Sequence, residues 1–407
     1  MELNNILIIG SMSTIAFYMA WCIGANDVAN SMATAVGAKA ITHKQAVLIA
    51  GVLVFVGAII VGPHVSETIK SGIININTIN SSLIILGFIS ALLSAAFWIT
   101  LSTWKEMPIS TTHSIIGALM GFGIVAGGIG SVNWVKVGSV ALSWLLSPLF
   151  GCILAFLIFK IIVRSIFAKK EPVKSAKVVG PIIIGFTGFL ITASLFLKTP
   201  LSENFNITEI HGIIISIIVS IIISIIAIYL FSSIKAKKEE DYLTVENIFK
   251  KLQIGTSCYV AFSIGANDVA NAIGPVAGII QDGTLSQATS IPLWLLALGG
   301  IGIAVGAMTW GRKVMQTVGN RITNLTNTRG FSVDFGAATT VLVASKLGMP
   351  ISTSHTVVGA VIGVGLARGL EAVNLNVIKK IVISWLLTLP IAAGTCIVIY
   401  LCLSHIA

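Results

Sequence analysis

The sequence predicts an all-α polytopic membrane protein of about 12 transmembrane segments, built from two inverted-topology repeats with re-entrant or broken helices. Three observations predict it. Of 407 residues, 56% are hydrophobic and only 10% are charged, against about 25% in an ordinary soluble domain. Apolar runs of roughly 20 residues, enough to cross a hydrocarbon core of about 30 Å, recur along the chain. Three blocks of sequence each occur twice, in the same order.

Too few charges are present to coat the apolar mass. That excludes a soluble enzyme, a disordered protein and a nucleic-acid binder. Much of the excess behind the net charge of +10 sits in a few loops, as positive-inside topology requires. In lipid every backbone polar group needs an internal partner, so the chain crosses as helices or as a closed barrel. Residues 213–228 are nearly all Ile, Ser and Val in one unbroken run, without the alternation of barrel strands. Cys22, Cys152, Cys258, Cys396 and Cys402 lie in apolar segments, with no CxxC pairing and no His nearby at zinc-ligand spacing, and read as small buried hydrophobes. The opening Met-Glu-Leu-Asn-Asn lacks a basic region and reads as the start of the first span.

The duplication sets the domains. Residues 23–30, Ile-Gly-Ala-Asn-Asp-Val-Ala-Asn, return at 264–271. Met-Pro-Ile-Ser-Thr-Thr-His at 107–113 returns as Met-Pro-Ile-Ser-Thr-Ser-His at 349–355. Ser143-Trp144-Leu145-Leu146 returns as Ser384-Trp385-Leu386-Leu387. The offsets are 241, 242 and 241 residues, so 1–165 and 246–407 are tandem repeats around an insert, 166–245.

Taken in order, repeat one offers segments near 6–36, 45–62, 81–104, 107–128 and 132–163. The insert adds 179–198 and 208–234, flanked by lysine-rich stretches. Repeat two adds 248–278, 292–310, 335–347, 350–368 and 375–404, with both termini outside. Segment 335–347 is short, and 107–128 and 350–368 open with polar residues, as re-entrant or broken helices do.

Charge gives the orientation. Lys39, His43 and Lys44 follow the first signature, where the second repeat has Asp282. Loop 62–80 carries Glu67 and Lys70, whereas its counterpart 311–335 carries Arg312, Lys313, Arg321 and Arg329 against Asp334. The last helix of repeat one ends in Lys160, Arg164, Lys169 and Lys170; that of repeat two begins with Lys379 and Lys380. The basic end changes side each time, so the repeats are expected to be inverted. Loops 37–45 and 311–335 then face the cytoplasm, and 62–80 and 280–291 the outside.

An ionisable side chain within hydrocarbon needs a partner or a function. Asp27 and Asp268 are the clearest cases. Asn26 and Asn30 share a helix face, as do Asn267 and Asn271. Gly24 and Gly265 precede them, where the helix is expected to loosen and expose backbone oxygens. An oxygen-only set suits a hard cation such as sodium. In the second block, Pro108 and Pro350 lead into Ser110, Thr111 and Thr112, and into Ser352, Thr353 and Ser354. Hydroxyls there join the free N–H groups and the positive dipole end of a helix start to make an anion cradle. One hydroxyl per helix is explained by N-capping alone; a run of three is not. His113 and His355 have roles open between proton transfer or gating and interhelical hydrogen bonding. Lys105, Glu106 and Lys346 read as membrane-edge residues. Gly117-xxx-Gly121 and Gly359-xxx-Gly363 predict close helix packing.

The doubled Gly-Ala-Asn-Asp-Val-Ala-Asn and the Pro-Ile-Ser-Thr-(Thr/Ser)-His blocks resemble the signatures of the inorganic phosphate transporter (PiT) family, over essentially the whole chain. The resemblance implies secondary active uptake of phosphate coupled to sodium or protons, through inverted repeats in a homodimer. The short linker 235–251 matches prokaryotic members, in the cytoplasmic membrane. The reading is a sodium-coupled phosphate symporter, with no cofactor beyond the sodium it carries and no catalysis. A proton-coupled phosphate or sulfate symporter is the alternative. A channel lacks the repeated pore-lining ring of charge, and an enzyme lacks a nucleophile–base pair.

Overall fold

The computed structural model describes residues 2–71, 73–75, 79, 81–197, 202, 205–234, 240–281, 291–312, 315, 325–369 and 374–406; the side chains of residues 2–7, 30, 31, 64, 67, 68, 70, 71, 81, 82 and 281 are outside that description. Apart from one isolated antiparallel bridge, Ile74 with Val132, the regular structure described is helical.

The first repeat begins with α1 (Glu2–Ile23), which widens into a π turn at Gly24–Val28 and continues as α2 (Ala29–Gly37). A capping box, Thr42 with Gln45, opens α3 (His43–Ile60). Then come α4 (Gly62–Ser71), α5 (Ser81–Trp104) and α6 (Thr111–Gly127). Asn133 caps α7 (Trp134–Ile162). The insert is a helical pair, α8 (Pro172–Phe196) and α9 (Glu209–Ser232), with Pro172 at a helix start that needs no N–H. The second repeat holds α10 (Asp241–Gln281), α11 (Leu293–Trp310), α12 (Asn327–Lys346), α13 (Thr353–Arg368) and α14 (Leu375–Ile406).

The packing is reciprocal. Helix α1 lies against α11, and α10 against α3. Helix α6 lies against α14, and α13 against α7. Glycines permit these approaches. A Cβ on Gly24 would stand 1.8 Å from the Ile303 carbonyl oxygen, and one on Gly265 would stand 2.0 Å from that of Val54. Gly117 and Gly121 do the same against Leu389 and Ala393, and Gly359 and Gly363 against Pro148 and Cys152. Lipid offers no hydrophobic gain for joining apolar helices, so close backbone contact of this kind carries the association.

Among the described residues, eight helices are long and apolar enough to cross a membrane. Expected segments 107–128, 248–278, 335–347 and 350–368 are not among the eight. All four are helical, and they carry the polar residues of the duplicated motifs or the ends that lead into them.

Several expectations are corrected. Residues 62–71 are the helix α4, packed on α10 through buried Val65, Ser66 and Ile69, and not part of a loop. The segment expected at 335–347 starts at Asn327, so the end of the supposed loop 311–335 is helix. Asp334, counted there as a loop charge, is 1% exposed. Residues 282–290, with Asp282, and 313–314 and 316–324, with Lys313 and Arg321, lie outside the described residues. Lys346 does not reach toward a membrane edge unattached: its Nζ donates to the Leu197 carbonyl at 2.5 Å, tying α12 to the end of α8. Cys22 and Cys396 are buried as expected, but Cys402 is exposed.

Candidate functional site

The two signatures meet the two hydroxyl runs in one buried centre. Asn26, Asp27, Asn267, Asp268, Asn271, Thr111, Thr112, Thr353 and Ser354 are each at most 1% exposed. The Asn30 side chain lies outside the described residues.

Local sequence sets the approach. Pro108 and Pro350 lie in the non-helical stretches just before α6 and α13. Ser110 and Ser352 are the N-caps, accepting from the His113 N–H at 3.1 Å and the His355 N–H at 3.2 Å. Their capping role leaves Thr111, Thr112, Thr353 and Ser354 to point at the neighbouring signatures.

Asp27 accepts from both runs. The Thr111 hydroxyl donates to one carboxylate oxygen, and the Ser354 hydroxyl to the other at 2.5 Å. Asp268 accepts from Thr353 Oγ1 at 3.0 Å and from Asn267 Nδ2 at 2.8 Å. Asn271 Nδ2 reaches Thr111 Oγ1 at 3.3 Å and Thr112 Oγ1 at 3.1 Å, while its Oδ1 is buried without a partner. Thr112 Oγ1 donates to the Ile351 carbonyl at 3.0 Å.

Asn26 and Asn267 hold the extended entry segments. Asn26 Nδ2 donates to Thr103 Oγ1 at 2.9 Å and to the Met107 carbonyl at 3.2 Å, and its Oδ1 accepts from the Ile109 N–H at 3.2 Å. Asn267 Nδ2 donates to the Ile351 carbonyl at 2.9 Å, and Ser345 Oγ donates to Asn267 Oδ1 at 3.4 Å. These asparagines therefore position the helix starts as well as facing the centre.

The expected loosening occurs in one repeat only. The backbone widens to a π turn over Gly24–Val28, but α10 runs unbroken through the second signature. The close helix contacts at Gly24 and Gly265, and not a shared break, explain why both positions are glycine.

Asp334 was missed as a buried group. It accepts from Thr34, and from Thr256 and Ser257 at 3.5 Å each, joining the end of α2 to α10 and α12. A lone acid within Phe-Ser-Val-Asp-Phe-Gly-Ala-Ala was the available signal.

A bundle of membrane helices around a buried, doubled centre of hydroxyls, amides and carboxylates defines an integral membrane transporter. Residues 23–396 match the PHO4 model, the phosphate transporter family. The chain is 52% identical over 388 residues to a Putative phosphate permease of Pyrococcus horikoshii, covering 93% of each chain. It is 50% identical over 383 residues to a Putative phosphate permease of Thermococcus kodakarensis, again covering 93% of each. A solved structure titled "The sodium-dependent phosphate transporter" superimposes with a TM-score of 0.91 at 48% identity, over 98% of this chain and 100% of that one. The chain belongs to the phosphate transporter family.

Proposed function

We propose that this chain is a sodium-coupled symporter of inorganic phosphate in the cytoplasmic membrane, working through inverted repeats 1–165 and 246–407 around the insert 166–245. The observation that carries the reading is the direct bonding of cradle hydroxyls to signature carboxylates. Each hydroxyl has one proton to donate. While Thr111 and Ser354 donate to Asp27, and Thr353 to Asp268, those protons are withheld from an anion. Sodium at the carboxylates takes oxygen ligands and needs no proton donor. It releases the hydroxyls to turn toward phosphate and offsets the charge of two buried acids. Phosphate, by reciprocity, must raise the affinity for sodium. Asn26, Asn30, Asn267 and Asn271 supply further oxygens to the cation, and the orphaned Oδ1 of Asn271 is one such ligand in waiting. Ser110 and Ser352 shape the cradle as caps, with Thr112 completing it. His113 and His355 stand behind the hydroxyls as gating residues.

Labelled phosphate uptake into proteoliposomes, with sodium and proton gradients imposed separately, tests this. Accumulation driven by sodium alone is expected. Accumulation driven only by a proton gradient replaces it with the proton-coupled reading, and no accumulation under either gradient overturns symport. The reciprocal helix pairing supports inversion. Cysteine labelling at 38–42 and at 73–75, after removal of the native cysteines, is expected to report opposite sides.

A further inference from the structure

The third duplicated block, Ser-Trp-Leu-Leu, has no part in the hydroxyl–carboxylate centre. The structure nonetheless places both of its tryptophans beside that centre. The Trp144 ring lies 3.7 Å, centroid to centroid, from His113. The Trp385 ring lies 3.6 Å from His355. The two imidazoles meet edge to face at 4.4 Å and 77°. Four rings thus run in sequence, Trp144, His113, His355, Trp385, across the boundary between the repeats.

Each histidine sits in the first turn of a cradle helix, with its N–H on the cap serine. His113 is two residues from Thr111, and His355 adjoins Ser354. A first turn moves as one body, so whatever holds the imidazole also holds the hydroxyl. Further along, the glycine contacts of α6 on α14 and of α13 on α7 fix how closely these helices approach. Glycine has no side chain to interlock, so these smooth contacts resist rotation poorly. The ring stack supplies the missing lateral key.

The hydrogen bonding of the rings points the same way. Trp144 Nε1, Trp385 Nε1, both ring nitrogens of His113 and Nε2 of His355 are buried without partners. Packing therefore holds the stack.

We propose that Trp144 and Trp385 are positioning residues of the transport site. Through the four-ring stack they set the register of α6 against α13, and so the placement of the Thr111 and Ser354 hydroxyls that converge on Asp27. The proposal rests on the reading that these hydroxyls cradle phosphate, and it adds a role for residues that touch neither ion.

The test measures phosphate and sodium affinity in reconstituted full-length protein for Trp144→Ala, Trp144→Phe, Thr111→Val and the double variant Trp144→Ala with Thr111→Val. Trp144→Ala is expected to lower phosphate affinity about tenfold, the worth of lost aromatic contacts. Trp144→Phe restores most of it, because a ring still stacks on His113. Sodium affinity measured without phosphate changes less than threefold. The double variant loses scarcely more than Thr111→Val alone, since the tryptophan acts through that hydroxyl. Additive losses in the double variant overturn the proposal. So does unchanged phosphate affinity in Trp144→Ala where Thr111→Val lowers it. If Thr111→Val itself leaves phosphate affinity intact, the cradle reading has failed, and the positioning role falls with it. Trp144→Leu and Trp385→Leu keep apolar volume and remove the ring. They are read by the same criteria if the alanine variant does not fold.

Discussion

Asp27 and Asp268 stand at the same step of one duplicated signature, yet the protein holds them differently. Asp27 lies in a π turn and takes a hydroxyl from each cradle. Asp268 lies in an unbroken helix and takes one hydroxyl, from its own repeat, and one amide, from its own neighbour. The doubled signature thus holds one carboxylate bonded to both hydroxyl runs and one bonded to the nearer run alone. The difference teaches that sequence identity at a site does not fix its wiring. The carboxylate on the widened turn bonds both repeats, while in the regular helix it is Asn271, one turn on from Asp268, that reaches across to Thr111 and Thr112.

The largest expected effect breaks or upholds that asymmetry. Asp→Asn keeps size and removes charge at either position. Each substitution removes a carboxylate charge from the cation site, and Asp27→Asn also breaks the link between the two hydroxyl runs, so Asp27→Asn is expected to weaken sodium affinity about 100-fold or more and Asp268→Asn about tenfold. Sodium dependence of phosphate exchange in proteoliposomes reads both. Equal losses would show that the unequal bonding has no energetic consequence. Full-rate exchange without sodium in both variants would move the coupling to protons.

Scaffold glycines come next, and here the repeats should agree. A Cβ at Gly24 or Gly265 would overlap a carbonyl oxygen at 1.8 or 2.0 Å, and backbone cannot step aside cheaply. Gly24→Ala and Gly265→Ala are each expected to cost about 3 kcal/mol through overpacking. Thermal unfolding in detergent measures this. A mild effect at Gly24 alone would mean that the π turn absorbs the clash by shifting.

What could be read beforehand follows from what the duplication displays. Segment positions were legible because lipid demands long apolar helices, and the ends of α5, α7 and α11 fall within a few residues of expectation. Asp27, Asp268 and both hydroxyl runs were legible because each appears twice. Asp334 was not, since the duplication offset places apolar Leu93 at its counterpart and no echo marks it. The role of α4 was hidden by its mixed composition: Gly-Pro-His-Val-Ser-Glu reads as a loop, and burial of only one face makes it a helix. Which hydroxyl meets which carboxylate depends on helix rotation across the repeat boundary, which no local pattern records.

Hydroxyl deletions then sharpen the comparison at the anion side. Thr111→Val and Ser354→Ala each remove a donor from the shared carboxylate, and Thr353→Val removes one from the private carboxylate. Phosphate affinity is expected to fall about tenfold for each of the first pair, and by about threefold to tenfold for Thr353→Val. Sodium binding without phosphate should change little. Equilibrium binding of labelled phosphate at saturating sodium gives the answer. A larger loss at Thr353 than at Thr111 would reverse the assignment of Asp27 as the shared carboxylate.

The smallest effect asks where the asymmetry stops. Asn133 and Asn374 cap α7 and α14, the helices that carry Trp144 and Trp385. Asn133 Oδ1 accepts from the Lys136 N–H at 3.1 Å, and Asn374 Oδ1 from the Val377 N–H at 3.3 Å. Both caps are exposed and satisfy one of the unpaired N–H groups at a helix start. Replacing either by Ala is expected to cost about 1 kcal/mol, which for a chain of this size shifts the melting temperature by about 2 °C. Neither substitution reaches the centre, so the apparent affinities for phosphate and sodium should stay within twofold of the parent. Matched shifts would place the departure from symmetry at the π turn and the carboxylates, and leave the helix ends as faithful copies. A shift several times larger at one cap, or a change in ion affinity with either, would show that the repeats diverge in how their last helices are anchored, and that the difference at Asp27 is one part of a wider skew.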